Sequence, residues 1–119
     1  MVEDEICSCG TNAVTGRHVA QNTLEVCADH GIDISKHRST NYRQSNISEM
    51  DLVLTATEVH KQILKRDYGQ LDIFTIKEFA KEYPYDINDP IGGDLISYNA
   101  CFEEIYRVLE KIKIILEEK

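Results

Sequence analysis

Asp51-Leu52-Val53-Leu54-Thr55-Ala56-Thr57-Glu58-Val59-His60-Lys61 carries the decision about the fold. Its first five residues are a short, continuous apolar run, the pattern of a strand buried on both faces in a parallel sheet. Thr57 then offers a hydroxyl to cap a helix whose inner face is read as Val59, Ile63 and Leu64, with Gly69 as its stop. Leu71–Ile76 reads as another strand, followed by a turn around Glu78-Phe79-Ala80. Working back toward the N-terminus, Asn46 with Glu49 suits a short capped turn, and Ser35–Ser45 is a polar stretch behind Ile32 and Ile34. A helix is expected from about Arg17 to His30, with Val19, Ala20, Leu24 and Cys27 on its apolar face and Gly31 as its stop. Glu5–Cys9 reads as a strand closed by Gly10-Thr11-Asn12. Strands that alternate with helices, joined by connections too long for hairpins, give an α/β class: a parallel sheet with helices on both faces. Three strands make a thin sheet for that class.

Working outward in the other direction, Tyr83–Gly93 holds both prolines and two of the six glycines and reads as a loop. Leu95, Tyr98, Phe102, Ile105, Leu109, Ile112 and Leu116 then recur at alternating steps of three and four, an amphipathic helix with Phe102 and Leu109 central in its stripe.

The 119 residues suit one domain, residues 1–119, without internal repeat or linker. Apolar residues make up 42% and charged ones 29%, a globular and not a disordered balance. A net charge of −8 argues against a nucleic-acid partner, which requires a basic face to displace counterions. No apolar run reaches the length of a membrane span. The acidic opening Met-Val-Glu-Asp-Glu is unlike a signal peptide, so no membrane partner and a cytoplasmic location are expected. Cys7, Cys9, Cys27 and Cys101 are then expected as thiols in a reducing compartment. Cys7 and Cys9 lack the partners that would complete a zinc site, so neither a metal nor a cofactor is expected.

Four stretches resemble the low-molecular-weight protein-tyrosine phosphatase family, including its bacterial arginine-phosphatase and arsenate-reductase relatives. Ile6-Cys7-Ser8-Cys9-Gly10-Thr11 is similar to the family's second strand, and Gly31-Ile32-Asp33-Ile34-Ser35-Lys36-His37 to its Gly-Ile-x-x-x-x-His segment. Asp51–Lys61 resembles its third strand and following helix. Asn88-Asp89-Pro90-Ile91-Gly92-Gly93, with the long helix behind it, resembles its general-acid loop and C-terminal helix. The order is kept over almost the whole chain. The resemblance implies a phosphatase-like α/β domain in which the family's first strand, its Cys-x5-Arg phosphate loop and its first helix are missing ahead of Ile6. In the family, that first strand lies between the second and third. Its absence leads us to expect one of three outcomes: Glu5–Cys9 pairs with Asp51–Thr55, a second copy fills the incomplete sheet, or the segment is loosely held.

The resemblance also assigns roles. Asp89 becomes the general acid that protonates a leaving-group oxygen and then activates water, and Pro90 holds its loop extended. Ile91 stands where the family often has an aromatic residue shaping the substrate slot, a departure that weakens the case for tyrosine selectivity. Ser8 and His37 match positions that support the phosphate loop. Without the resemblance, Asp89 is a turn residue before a proline, Ser8 a strand serine and His37 a surface histidine. The chemistry needs a thiolate at a helix N-terminus with backbone N–H groups and an arginine around the phosphate.

The single Cys-x5-Arg string in the chain, Cys101 to Arg107, lies within the long helix. Six residues there turn the two side chains about 120° apart. Cys101 is accordingly read as a packing residue and Arg107 as a solvated one.

Three readings of function follow. One is a phosphomonoester-hydrolase-family protein, acting on a phosphoprotein or small phosphoester in an intact parent, whose reading frame as given starts internally and which is inactive alone. Another is a catalytically dead binding or scaffold module. The third, an arsenate-reductase relative, is disfavoured because Thr55–Arg66 holds none of that branch's relay cysteines.

Overall fold

The computed structural model describes residues 6–11 and 13–118. Two short strands, β1 (Val53–Thr55) and β2 (Ile73–Thr75), pair in parallel with Val53 opposite Ile73, Leu54 opposite Phe74 and Thr55 opposite Thr75. Helix α2 (Glu58–Asp67) makes the crossover between them. Its cap is the one expected: Thr57 Oγ1 accepts the His60 backbone N–H at 3.2 Å. Within the apolar face, Leu64 is buried and Ile63 half-buried, while Val59 is exposed and not on that face as expected. Helix α3 (Ile76–Phe79) leaves directly from β2 through a reciprocal cap. Thr75 Oγ1 accepts from the Glu78 N–H, and Glu78 Oε1 accepts from the Thr75 N–H.

Because side chains alternate along a strand, β1 serves two cores. Val53 packs with Tyr42, Ile47, Leu64 and Ile73 on the α2 face. Leu54 packs with Ile76, Ala80, Ile87, Val108 and Ile112 on the other, beneath α3 and the long helix α4 (Leu95–Glu117). The sheet thus has helices on both faces, as the sequence implied. Tyr42, inside the stretch read as polar, is 1% exposed and its hydroxyl donates to Asp67 Oδ2 at 2.6 Å.

The line of α4 that enters the core is Cys101, Ile105, Val108 and Ile112. Ile105 and Ile112 of the expected stripe are on this line, but Cys101 and Val108 take the places expected of Phe102 and Leu109, and Leu109 is 45% exposed. Ile96, Ile114 and Leu116 are also exposed, so apolar residues cover more of the helix circumference than one stripe. Periodicity alone cannot then choose the phase. The groove of Leu54, Ile76, Ala80 and Ile87 chooses it. Helix α1 (Gln21–Asp29) lies against α4, with the His30 ring stacked on Phe102 at 4.1 Å.

The N-terminal reading needs correction. Residues 6–9 form no strand and are exposed, and Gly10 makes a single-residue parallel bridge to Asn41. Glu5 lies outside the described residues. Among the described residues β1 is hydrogen-bonded to β2 alone, so residues 6–9 do not form the expected pairing with Asp51–Thr55. The sheet has two strands among the described residues, not three. Helix α1 begins at Gln21 and not at Arg17. The chain before it is held extended by the His18–Arg38 bridge and by the Ser39 N–H donating to the Arg17 carbonyl at 2.9 Å. Its end is as expected, with Gly31 at φ +78°, a left-handed conformation open to glycine.

Candidate functional site

The segment that carries Asp89 is tied to the carboxyl end of β1. Ile87, itself buried, donates its N–H to the Ala56 carbonyl at 2.9 Å. Asp86 Oδ1 accepts the Glu58 N–H at 2.8 Å, satisfying an orphan donor in the first turn of α2. Three residues on from Asp86, Asp89 is exposed at the edge where α/β sheets bind ligands, beyond the carboxyl ends of their strands. Its Oδ1 accepts the Ile91 N–H at 3.0 Å, an aspartate turn across Pro90 that orients the carboxyl group.

The far end of the loop is equally fixed. Gly93 donates its N–H to the Pro90 carbonyl at 2.8 Å. A Cβ there would sit 2.9 Å from both that oxygen and the Ser97 Cβ, so the position has room only for glycine. Asp94 then caps α4, with Oδ1 accepting from the Ser97 N–H at 2.9 Å and its hydroxyl at 3.0 Å. Those bonds hold the Asp94 carboxyl below the usual carboxylate range.

Asp89, Pro90 and Ile91 line one open pocket of about 480 Å³ between this loop and α4, whose other wall includes Cys101 and Glu104. Ile91 is 78% exposed at its rim, an apolar side chain without a ring. Glu104 is anchored by the buried Lys77, whose Nζ lies 3.4 Å from Oε2. The Cys101 thiol donates to the Asn88 carbonyl at 3.6 Å. Burial, then the charges of Glu104 and Asp89, push its pKa up, the reverse of what a thiolate nucleophile needs. Arg107 is committed elsewhere, donating through Nη1 to both oxygens of Glu82 at 2.8 and 2.9 Å. The Cys101–Arg107 string is therefore no phosphate loop. Cys101 packs against the core, as read from the sequence.

Ser8 and His37 do not line this pocket. Ser8 is exposed on the stretch before Gly10. His37 is exposed on a turn, its N–H donating to the Ile34 carbonyl at 3.0 Å and its carbonyl accepting from Arg38 Nη1 at 2.9 Å. The Gly10–Asn41 bridge brings their two segments side by side. The site residues therefore fall into two groups, and α1 links them, its Asn22 Nδ2 donating to the Gly93 carbonyl at 3.5 Å.

Sequence reasoning missed Asp86 as the anchor of α2. Its partner Glu58 is 28 positions away, and no local pattern announces such a bond. Among the described residues, no group of three or more His, Cys, Asp or Glu side chains is placed to hold a metal ion, and no helix is long and apolar enough to cross a membrane.

A sequence model described as low molecular weight phosphotyrosine protein phosphatase matches residues 2–119. A low molecular weight protein-tyrosine-phosphatase of Staphylococcus haemolyticus is 32% identical over 114 residues, covering 95% of this chain and 80% of the relative. Among solved structures, an arginine phosphatase from Geobacillus stearothermophilus superposes with a TM-score of 0.89 at 27% identity, covering 96% of this chain and 75% of the other. The low molecular weight protein tyrosine phosphatase from T. tengcongensis gives a TM-score of 0.83 at 34% identity, covering 95% and 76%. With a family model matched over residues 2–119, a relative 32% identical over 95% of the chain and the same α/β fold, the chain belongs to the low molecular weight phosphotyrosine protein phosphatase family.

Proposed function

We propose that this chain provides the general-acid side of a phosphomonoester hydrolase acting on a phosphorylated side chain of a protein. The observation that carries the reading is Asp89, held by its aspartate turn at the carboxyl edge of the parallel sheet and facing an open pocket. In that role it donates its proton to the leaving-group atom as the bond to phosphorus breaks, then takes a proton from the water that attacks the phosphoenzyme. Pro90 and Gly93 keep the loop in one geometry, and Ile91 gives the substrate side chain an apolar contact. Ser8 and His37 are supports for the anion cradle. The similar proteins include both tyrosine and arginine phosphatases, which supports a phosphoprotein substrate.

The attacking thiolate is not Cys101, whose pKa is raised. Cys7 and Cys9 are exposed on a stretch outside any helix, whereas this chemistry places its nucleophile at a helix N-terminus. The 119 residues alone accordingly leave an aryl phosphate unhydrolysed. Supplying a strand, a Cys-x5-Arg loop and a helix ahead of Ile6 creates turnover through a phosphocysteine. In that extended protein, Asp89→Asn slows turnover by roughly 10²–10⁴-fold, the usual worth of a general acid. Turnover by the 119 residues that depends on Asp89 would overturn this assignment of the nucleophile. An extended protein that binds phosphate but does not turn over would favour a binding module.

A further inference from the structure

The charges of this chain are not evenly spread. Residues 6–24 and 34–48 contain none of the twenty-one carboxylates, yet they carry Arg17, Lys36, Arg38 and Arg43 with His18 and His37. The rest of the chain has nine cations against all twenty-one carboxylates. The fold joins these two acid-free segments to each other. Gly10 pairs with Asn41 and His18 with Arg38. The Gly16 N–H donates to the Ser39 carbonyl at 2.8 Å, and the Asn41 side chain donates to the Ala13 carbonyl at 2.9 Å. All six basic side chains are exposed. Every ion pair among the described residues lies elsewhere, so Arg17, Lys36 and Arg38 form none there; the nearest acid in sequence, Asp33, accepts the Ser35 N–H at 2.9 Å. Arg43 is at the margin, over the Tyr42 ring at 4.8 Å and within reach of the Asp67 charge.

We infer that this cationic face docks an acidic segment of a polypeptide, the stretch flanking the phosphorylated residue of a protein substrate. The identity of that polypeptide as a substrate rests on the function proposed above. A short acidic peptide fits better than a nucleic acid. A few exposed cations match a few carboxylates, whereas a duplex presents a charge every ~1.7 Å and would run beyond them onto a chain of net charge −8. The face also adjoins the Asp89 loop. His18 is four residues from Asn22, which touches Gly93, so at most about 14 Å of chain separates them.

The test is a binding titration of the 119-residue protein by fluorescence anisotropy. The probe is a labelled peptide of about ten residues alternating Glu and Ser, long enough at ~35 Å extended to cross the face. The control peptide has Gln at each Glu position. The acidic peptide should bind and the Gln peptide should not, with affinity falling as salt rises from about 0.05 to about 0.5 M. Arg17→Glu combined with Lys36→Glu should weaken binding roughly tenfold or more, while Lys113→Glu on the exposed side of α4 should leave it unchanged. Arg38 is left alone because it donates to the Ser35 and His37 carbonyls. Circular dichroism checks that the double variant is folded; if it is not, the Gln peptide and the salt series still decide. Equal binding of the two peptides, no binding of the acidic one, or an equal loss with Lys113→Glu would overturn the inference. Tighter binding of a single-stranded oligonucleotide of matched charge would reassign the face to nucleic acid. Because the readout is binding and not turnover, failure here is separate from failure of Asp89 as the acid.

Discussion

Asp51–Thr55 and Glu5–Cys9 both read as short strands, and among the described residues only the first contains one. Val53–Thr55 pairs with β2 and places alternate side chains in two cores. The stretch from Ile6 to Cys9 has comparable apolar character yet lies exposed, with Ile6 90% accessible. The difference shows that a strand is made by its partner at least as much as by its residues. β1 acquires one because α2 returns the chain in parallel beside it. The N-terminal stretch is tied to the rest of the fold at Gly10, through the single-residue bridge to Asn41.

The sharpest way to break this comparison is Ile73→Ala. Ile73 is 1% exposed between β1 and α2, so its truncation should cost roughly 2–5 kcal/mol by denaturant unfolding. A loss close to zero would mean that the sheet is not the organising element. The same contrast can be drawn on α4. Ile112→Ala should also cost about 2–5 kcal/mol, whereas Leu109→Ala, half-exposed one helical phase away, should cost about 1 kcal/mol or less. Equal losses would restore the stripe expected from periodicity alone.

A smaller effect concerns Glu78, where α3 leaves β2. The Lys61 ammonium at 2.8 Å holds its carboxyl below the usual glutamate range; the Thr75 N–H helps, and burial opposes. The unfolded chain binds that proton more readily than the folded one. The contribution is therefore full above the ordinary glutamate value of about 4.3 and is lost as pH falls through the lower folded value. Glu78→Gln should flatten the stability profile below about pH 5 and change little at neutral pH beyond a constant offset. An unchanged acid profile would remove the Lys61 pairing from the account. The smallest effect is expected at Ile6→Ala, within about 0.5 kcal/mol of the parent. A loss as large as that of Ile73→Ala would show that the N-terminal stretch is packed after all.

These elements also show what the sequence made legible. The Thr57 cap, the Gly31 stop, the Asp51–Thr55 strand region and the loop ahead of the long helix could be read because each depends on a few adjacent residues. The phase of α4 and the burial of Tyr42 could not, since both are set by surfaces far away in the chain. The site divides in the same way. Asp89, Pro90 and Ile91 are neighbours and share a pocket, whereas Asp86, Glu104 and Lys77 are joined to it across long stretches of sequence.

The central claim is that Asp89 delivers a proton to the leaving group, and leaving-group dependence tests it most directly. In the extended protein described above, hydrolysis rates for a series of aryl phosphates should be compared with and without Asp89→Asn. A phenol that is already a stable anion needs no proton, while a basic one does. The account predicts a small loss for nitro-substituted phenols that widens to roughly 10²–10⁴-fold for unsubstituted phenol. A loss of the same size across the whole series would contradict it and leave Asp89 as a loop residue alone.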